Sequence, residues 1–299
     1  MDESFRPRIR APEFAGIRGW INSKGLRMAD LKGKVVLVDF WTYTCINCLR
    51  TLPYLKRWHE KYKEKGLVVV GVHTPEFAFE GEPANAKEAV KRLGIKYPVA
   101  LDSGMKTWSA FDNHYWPAKF LIDKDGFVSY VHFGEGSYSQ TEMAIQMALG
   151  IKGKPEKEEY AAYVFDQSPE TYAGFSKNNG LGSGLVCDDK GCNVYIDPGN
   201  HSMNTLYPNG QWAQEKEYIE LKGTPGLLSY RFNAREANVV MEPVGKPSEV
   251  EVFVDEKKVS DLALEKPMMY NVFRAKDYAE RELQLVFHGK ARIYALTFG

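Results

Sequence analysis

Apolar residues follow two different rhythms along this chain, and the rhythm changes near residue 150. In residues 1–150, short continuous apolar runs alternate with stretches whose apolar positions recur every three or four residues. That is the pattern of strands buried between helices. Lys34–Trp41 (KVVLVDFW) and Leu67–Val72 (LVVVGV) read as buried strands. Between them Leu49–Lys65 reads as a helix, with Leu49, Leu52, Leu55, Trp58 and Tyr62 on one face and Gly66 as its stop. Ala84–Leu93 reads as a second helix, ended by Gly94. Lys119–Ile122 and Phe127–Phe133 flank the turn Asp123–Gly126 and predict a hairpin. Ser139 and Glu142 stand at capping-box spacing, which predicts a helix that opens there and closes at Gly150. The alternation predicts an α/β domain over residues 1–150.

Ile151–Glu159 (IKGKPEKEE) is polar and charged, so residues 151–160 read as a linker. Beyond it the helical period fades. Short alternating runs recur at Leu185–Ile196, Glu217–Leu221, Leu227–Phe232, Glu249–Val254, Leu283–Phe287 and Arg292–Phe298, separated by Gly, Pro, Asn and Asp. This spacing predicts an all-β sandwich or jelly roll over 161–299.

Composition narrows the function classes. The chain has 299 residues, 44% hydrophobic and 26% charged, a globular makeup long enough for two cores. Lys plus Arg equals Asp plus Glu at 39 each. A net charge of zero argues against nucleic acid as a partner. The apolar runs are too short to span a bilayer. Met1–Arg10 is charged, with no apolar core after it, so no signal peptide is expected in this chain and a cytoplasmic location stays open.

The four cysteines form two close pairs, Cys45/Cys48 and Cys187/Cys192. The first lies in VDFWTYTCINCLRTLP, residues 38–53, at a strand-to-helix junction. Unpaired amides at a helix start stabilise a thiolate at Cys45, and Cys48 one turn later is close enough to close a disulfide. The pair reads as a dithiol switch in which Cys45 attacks a substrate disulfide and Cys48 resolves the mixed disulfide. Lowering a thiol pKa from about 8.5 to about 7 raises its thiolate fraction roughly fifteen-fold, and lost nucleophilicity returns about five-fold. The held geometry of the resolving thiol therefore matters more than acidity. Half a zinc site has the same spacing, but His59 and His73 do not stand at finger-like intervals; no metal or cofactor is assigned.

Around this pair, Asp39 stands six residues before Cys45, Trp41 four before it, and Pro53 five after Cys48; Trp116-Pro117 precedes the strand Lys119–Ile122. These offsets resemble the thioredoxin active site. The resemblance implies a thioredoxin fold, a buried Asp39 that relays the proton of Cys48, and a cis Pro117 that shapes the substrate groove with Trp116. Trp41 would pack beneath the dithiol, while Tyr43, Thr44, Tyr115 and Trp116 would line the docking surface. Two features depart from the minimal pattern: Ile46-Asn47 lies between the cysteines, with Thr44 before them, and His73–Tyr97 forms a central insertion. With the opening APEF, WINSKG and LKGKVVLVDFW, that insertion is similar to TlpA-like redoxins. Acids in such insertions tune the cysteines, which makes Glu76 a candidate beside Glu80 and Glu82. WTYTCINCLRTLPYL, FGEGSYSQTE and the ending IYALTFG resemble, over nearly the whole chain, the soluble part of DipZ-type cytochrome c biogenesis and thiol-disulfide interchange proteins. That implies protein disulfide substrates, a membrane electron-carrier (CcdA-like) donor, and an extracytoplasmic location, periplasmic or cell-surface.

Cys187-Asp-Asp-Lys-Gly-Cys192 lies between two strand patterns, so the two cysteines face each other across a hairpin. A structural disulfide there is worth about 2 kcal/mol and suits an oxidising compartment; electron exchange with Cys45/Cys48 is the alternative. The second domain resembles a galactose-binding or carbohydrate-binding-module jelly roll. Tyr207, Trp212 and Tyr230 are its candidates for stacking on a glycan, or else for filling the core. The reading reached is a thiol-disulfide oxidoreductase. Its rivals are a glycan- or protein-binding module in which the Cys-x-x-Cys is ancillary, and a thiol peroxidase. Peroxiredoxins place a Thr three residues before the attacking Cys, as Thr42 stands, but also a Pro where Val38 stands.

Overall fold

The computed structural model describes residues 9–156, 167–178, 180–188 and 191–299. The chain divides into two compact units, Met1–Ala161 and Ala162–Gly299.

The first unit holds, in chain order, β1 (Trp20–Ile21), β2 (Val35–Trp41), α1 (Ile46–Tyr62), β3 (Leu67–His73), α2 (Pro83–Arg92), β4 (Val99–Leu101), α3 (Lys106–Ala110), β5 (Ala118–Ile122), β6 (Val128–Phe133) and α4 (Tyr138–Leu149). Its sheet runs β1-β4-β3-β2-β5-β6. β2, β3 and β4 are parallel, and β5 and β6 turn back antiparallel, the thioredoxin arrangement. All seven residues of β2 are buried, because β3 and β5 flank it and both its faces are covered. Val36, Val38 and Phe40 enter a core with Trp108, Phe111 and Phe120. Asp39 and Trp41 alternate to the opposite face. The inserted segment supplies a 3₁₀ turn (Ala78–Gly81) and α2, whose first residue is Pro83.

Two helix boundaries differ from the sequence reading. α1 begins at Ile46, before the periodic stripe starts, because Cys45 caps it; it ends at Tyr62, and a 3₁₀ turn (Lys63–Lys65) carries the chain to Gly66 at φ 100°. α4 begins at Tyr138 after Ser137, so Ser139 and Glu142 form no capping box. Glu142 instead points inward, accepting from the Tyr62 hydroxyl at 2.5 Å, the Lys61 ammonium at 2.6 Å and the Glu156 amide at 2.7 Å.

The second unit contains no helix among its described residues. Its strands are β7 (Thr171–Tyr172), β8 (Gly184–Asp188), β9 (Gly191–Ile196), β10 (Leu206–Gln214), β11 (Ile219–Leu221), β12 (Gly226–Pro243), β13 (Ser248–Val254), β14 (Lys257–Leu264), β15 (Met268–Phe287) and β16 (Ala291–Phe298). They pair in the order β14-β13-β15-β12-β16-β11-β10-β9-β8, with β7 on β16. β12 and β15 run side by side for most of their length, with register shifts near Ala234–Asn238. β14 escaped the sequence reading because it is a mostly exposed edge strand with a polar sequence, and β10 because Pro208, Asn209 and Gly210 interrupt its apolar alternation.

The aromatic candidates for glycan stacking are not on the surface. Tyr207 is 5% exposed, and Trp212 and Tyr230 are fully buried. Trp212 packs edge-on against Phe287 and donates its indole N–H to the Asn209 carbonyl, and Tyr230 stacks on Phe298. Trp212 and Tyr230 thus belong to the core, where their area stabilises the sheet, while Tyr207 packs on the His201 ring at 4.4 Å and its hydroxyl accepts the Ser202 amide at 2.9 Å. Trp212→Ala is therefore expected to destabilise the second unit by about 3–5 kcal/mol in urea titrations. A surface stacking residue would leave the midpoint almost unchanged.

Candidate redox site

β2 delivers the chain to a short connection, residues 42–44, and Cys45 caps α1 with extended backbone angles, φ −82° and ψ 112°. Its sulfur accepts the Cys48 amide at 3.2 Å, and its carbonyl accepts the Leu49 amide at 3.0 Å. The Cys45 sulfur thus takes an amide that the first turn of α1 leaves without a backbone partner. Both cysteines are free thiols; Cys45 is half-buried and Cys48 is buried. Burial pushes the Cys48 thiol well up, helped by the adjacent Cys45 sulfur and Asp39, while a backbone hydrogen bond with Thr42 works the other way. One sulfur is thus open to approach and the other is enclosed.

Asp39 stands between Gly71 of β3 and Lys119 of β5 in the strand registers. It is buried, and neither carboxylate oxygen has a hydrogen-bond partner among the described residues. A buried acceptor in that state costs about 1–3 kcal/mol, more when ionised. Burial pushes the Asp39 carboxyl up to about 7, against the pull of the Lys119 ammonium. Lys119 is itself buried and donates to the Gly134 carbonyl at 3.1 Å. This places an acid that titrates near neutrality close enough to Cys48 to influence its thiol.

Trp41 is buried with its ring edge against His73, at 5.3 Å between centroids. Burial pushes His73 down to about 4, so it is a neutral ring at physiological pH. Tyr43 and Thr44 depart from the docking role expected of them: both are buried. Tyr43 stacks on His73 at 5.5 Å, and Thr44 donates to Glu80 at 2.6 Å. Glu80 also accepts the Glu76 and Phe77 amides at 2.7 and 3.0 Å. The insertion thus folds over the residues that precede Cys45. Of its three acids Glu80 is the enclosed one, raised by its burial; Glu76 is half-buried and Glu82 exposed.

The Trp116–Pro117 peptide is cis, and Pro117 is buried. Trp116 donates to the Thr74 carbonyl at 3.0 Å and lies 4.1 Å from the Trp108 ring. Next to it Tyr115, 54% exposed, and Phe133, 46% exposed, bring their rings within 5.1 Å. In the second unit Cys187 is disulfide-bonded and pairs in register with Cys192, whose side chain lies outside the described residues.

Sequence reasoning missed Lys119, His73 and Tyr97 and did not separate Glu80 from its neighbours. Lys119 carried a signal, a cation inside the apolar run Ala118–Ile122 at a position alternating with core residues. Glu80 carried none.

The Redoxin family matches residues 10–145, and the family described as Thioredoxin like C-terminal domain matches residues 168–299. Protein DipZ of Mycobacterium tuberculosis is 35% identical over 304 residues, covering 97% of this chain and 43% of that protein. Thiol-disulfide oxidoreductase ResA of Bacillus cereus is 37% identical over 126 residues, 42% of this chain and 70% of ResA. A thioredoxin-family thiol:disulfide interchange protein of known structure from Chlorobium tepidum is 28% identical, covering 49% of this chain and 100% of that one, with a TM-score of 0.43. The chain thus spans less than half the length of DipZ.

The two shifted groups make opposite demands on stability. Asp39, raised to about 7, stabilises the fold fully below its unfolded value of about 4, and that contribution is lost as pH climbs through 7. His73, lowered to about 4, contributes stability above about 6.5 that is lost as pH falls through 4. Their windows overlap, so Asp39→Asn isolates the first. The Asn variant is expected to exceed the parent by on the order of 3–4 kcal/mol at pH 8, with the gap closing toward pH 4. Chemical denaturation across that range checks it, and a gap independent of pH contradicts it.

Proposed function

Because the chain belongs to the TlpA-like redoxins of the thioredoxin superfamily, we propose that its Cys45–Cys48 dithiol reduces disulfides in protein substrates. The chain is a thiol-disulfide oxidoreductase; the direction, the substrate class and the residue roles are the proposal. The observation that carries them is the asymmetry of the two sulfurs: a half-buried Cys45 at a helix start, and an enclosed Cys48 beside the buried carboxylate of Asp39.

The Cys45 thiolate attacks one sulfur of the substrate disulfide. A Cys45–substrate disulfide forms, and the other substrate sulfur leaves as a thiolate that takes up a proton. Cys48 then loses its proton to the Asp39 carboxylate and attacks the Cys45 sulfur. The Cys45–Cys48 disulfide forms and the second substrate thiol departs. Two electrons have passed to the substrate, and the dithiol is oxidised. Reduction is the working direction we propose, and the reduction potential of the pair tests it. Trp116, Pro117 and the exposed pair Tyr115 and Phe133 form the face on which an extended substrate segment docks.

The oxidised pair must be re-reduced by another dithiol. The likeness to DipZ-type proteins supports a membrane thiol carrier in that role and an extracytoplasmic setting, with which the Cys187 disulfide agrees. Among the described residues no helix is long and apolar enough to cross a membrane.

Three measurements test the reading. Cys45→Ser is expected to abolish insulin disulfide reduction, at least 10³-fold below the parent. Cys48→Ser is expected to accumulate the mixed disulfide, visible by mass. A reduction potential near or below about −250 mV marks a reductase. A potential above about −180 mV, or Cys45→Ser as active as the parent, contradicts it.

A further inference from the structure

Asp39 is not the only buried polar group left without a partner on this face of the sheet. The Tyr97 hydroxyl and the Trp41 indole N–H likewise have no hydrogen-bond partner among the described residues, and both side chains are fully buried. The three groups converge on one spot. Asp39 and Gly71 are register partners in parallel strands, so their side-chain directions share a face, and Trp41 is two residues further along β2 on that same face. A Cβ added to Gly71 would lie 2.9 Å from Trp41 Nε1 and 3.1 Å from Tyr97 Cε2. Both rings therefore lean over the bare backbone of Gly71, beside the carboxylate.

Tyr97 is held there from two sides. The Asn22 side-chain amide donates to the carbonyls of Ile95 and Tyr97 at 2.9 and 3.1 Å, and the Gly71 amide donates to the Pro98 carbonyl at 2.9 Å. Its ring meets His59 of α1 edge-on at 5.9 Å. Burial and the charges of Asp39 and Cys48 push the phenol well up, which keeps it a proton donor.

Two fixed donors lie beside one carboxylate in a water-excluded site, and in that low-dielectric surrounding their dipoles act strongly on its charge. We propose that Tyr97 is a positioning residue for the redox site. Its O–H dipole, with the Trp41 N–H, stabilises the Asp39 carboxylate from across Gly71, and so sets the pH at which Asp39 takes the Cys48 proton. The inference rests on the relay reading of Asp39 given above. It adds a residue of the central insertion's end to the proton path. The other charged or titratable groups acting on the carboxylate are Lys119 from β5 and Cys48 from α1; the His73 ring borders Trp41 and the His59 ring borders Tyr97, both lowered by burial.

The test follows the Asp39 carboxyl carbon and the Tyr97 Cζ carbon by NMR through pH 5–10 in the reduced full chain. In the parent, Tyr97 Cζ is expected to inflect at the Asp39 midpoint. In Tyr97→Phe that midpoint is expected to rise by about 0.5–1 pH unit, since a dipole that stabilises the charged form is lost. Resolution of the mixed disulfide at pH 7 is expected to slow two- to five-fold and to recover at higher pH. An Asp39 midpoint unmoved in folded Tyr97→Phe overturns the proposal. Should that variant not fold, a Tyr97 Cζ in the parent that shows no inflection with Asp39 overturns it instead. Asp39→Asn separates the two readings. If resolution in that variant keeps the parental pH dependence, the relay fails, whereas an unmoved midpoint in Tyr97→Phe defeats the Tyr97 assignment alone.

Discussion

Asp39 lies in the middle of a central strand, shut away from water, with its charge opposed by burial and supported by one equally buried lysine. Much of the first unit is arranged around that group. β2 must be buried on both faces to enclose it. The six-stranded order places β3 and β5 on its two sides, and these supply the bare backbone of Gly71 and the cation of Lys119. α1 lays Cys48 over the same region. A carboxylate in this setting is a liability for stability and an asset for chemistry. Its proton affinity lies near neutrality, where it can both accept a proton from a thiol and release it again.

The two sulfurs divide their work by position. Cys45 takes its amide contacts from the first turn of α1 and remains reachable, while Cys48, three residues on, turns inward to the sheet. The insertion between β3 and β4 steadies the approach to this pair. Glu80 anchors Thr44, and Tyr43 stacks on a neutral His73, so the residues before Cys45 are fixed by side chains far away in sequence. In the proposed mechanism, rigidity of this kind would hold the resolving thiol within reach of the mixed disulfide, a contribution that can exceed that of acidity.

What the sequence revealed follows a physical line. β2, α1 and β3 were readable because their apolar periods are strong, and Cys45, Cys48 and Asp39 because fixed offsets on one strand–helix junction place them. Properties that depend on the partner across the sheet were not readable. Tyr43 and Thr44 stand next to the dithiol in sequence, yet the insertion buries them. Tyr97 belongs to the site only because Gly71 leaves it room. Ser139 and Glu142 had the spacing of a cap, but the stronger attraction of Tyr62 and Lys61 claimed the carboxylate. In the second unit, Trp212 and Tyr230 were ambiguous between surface and core, since one face of a strand cannot be told from the other until the register is fixed.

The central claim is that Asp39 removes the proton of Cys48 when the mixed disulfide resolves. Stopped-flow measurement of that single step, as a function of pH in the parent and in Asp39→Asn, tests it most directly. The account predicts a rate that climbs through an inflection near pH 7 in the parent, tracking the carboxyl raised by burial, and a slower rate without that inflection in the variant. The same rate and the same profile in both proteins would contradict it.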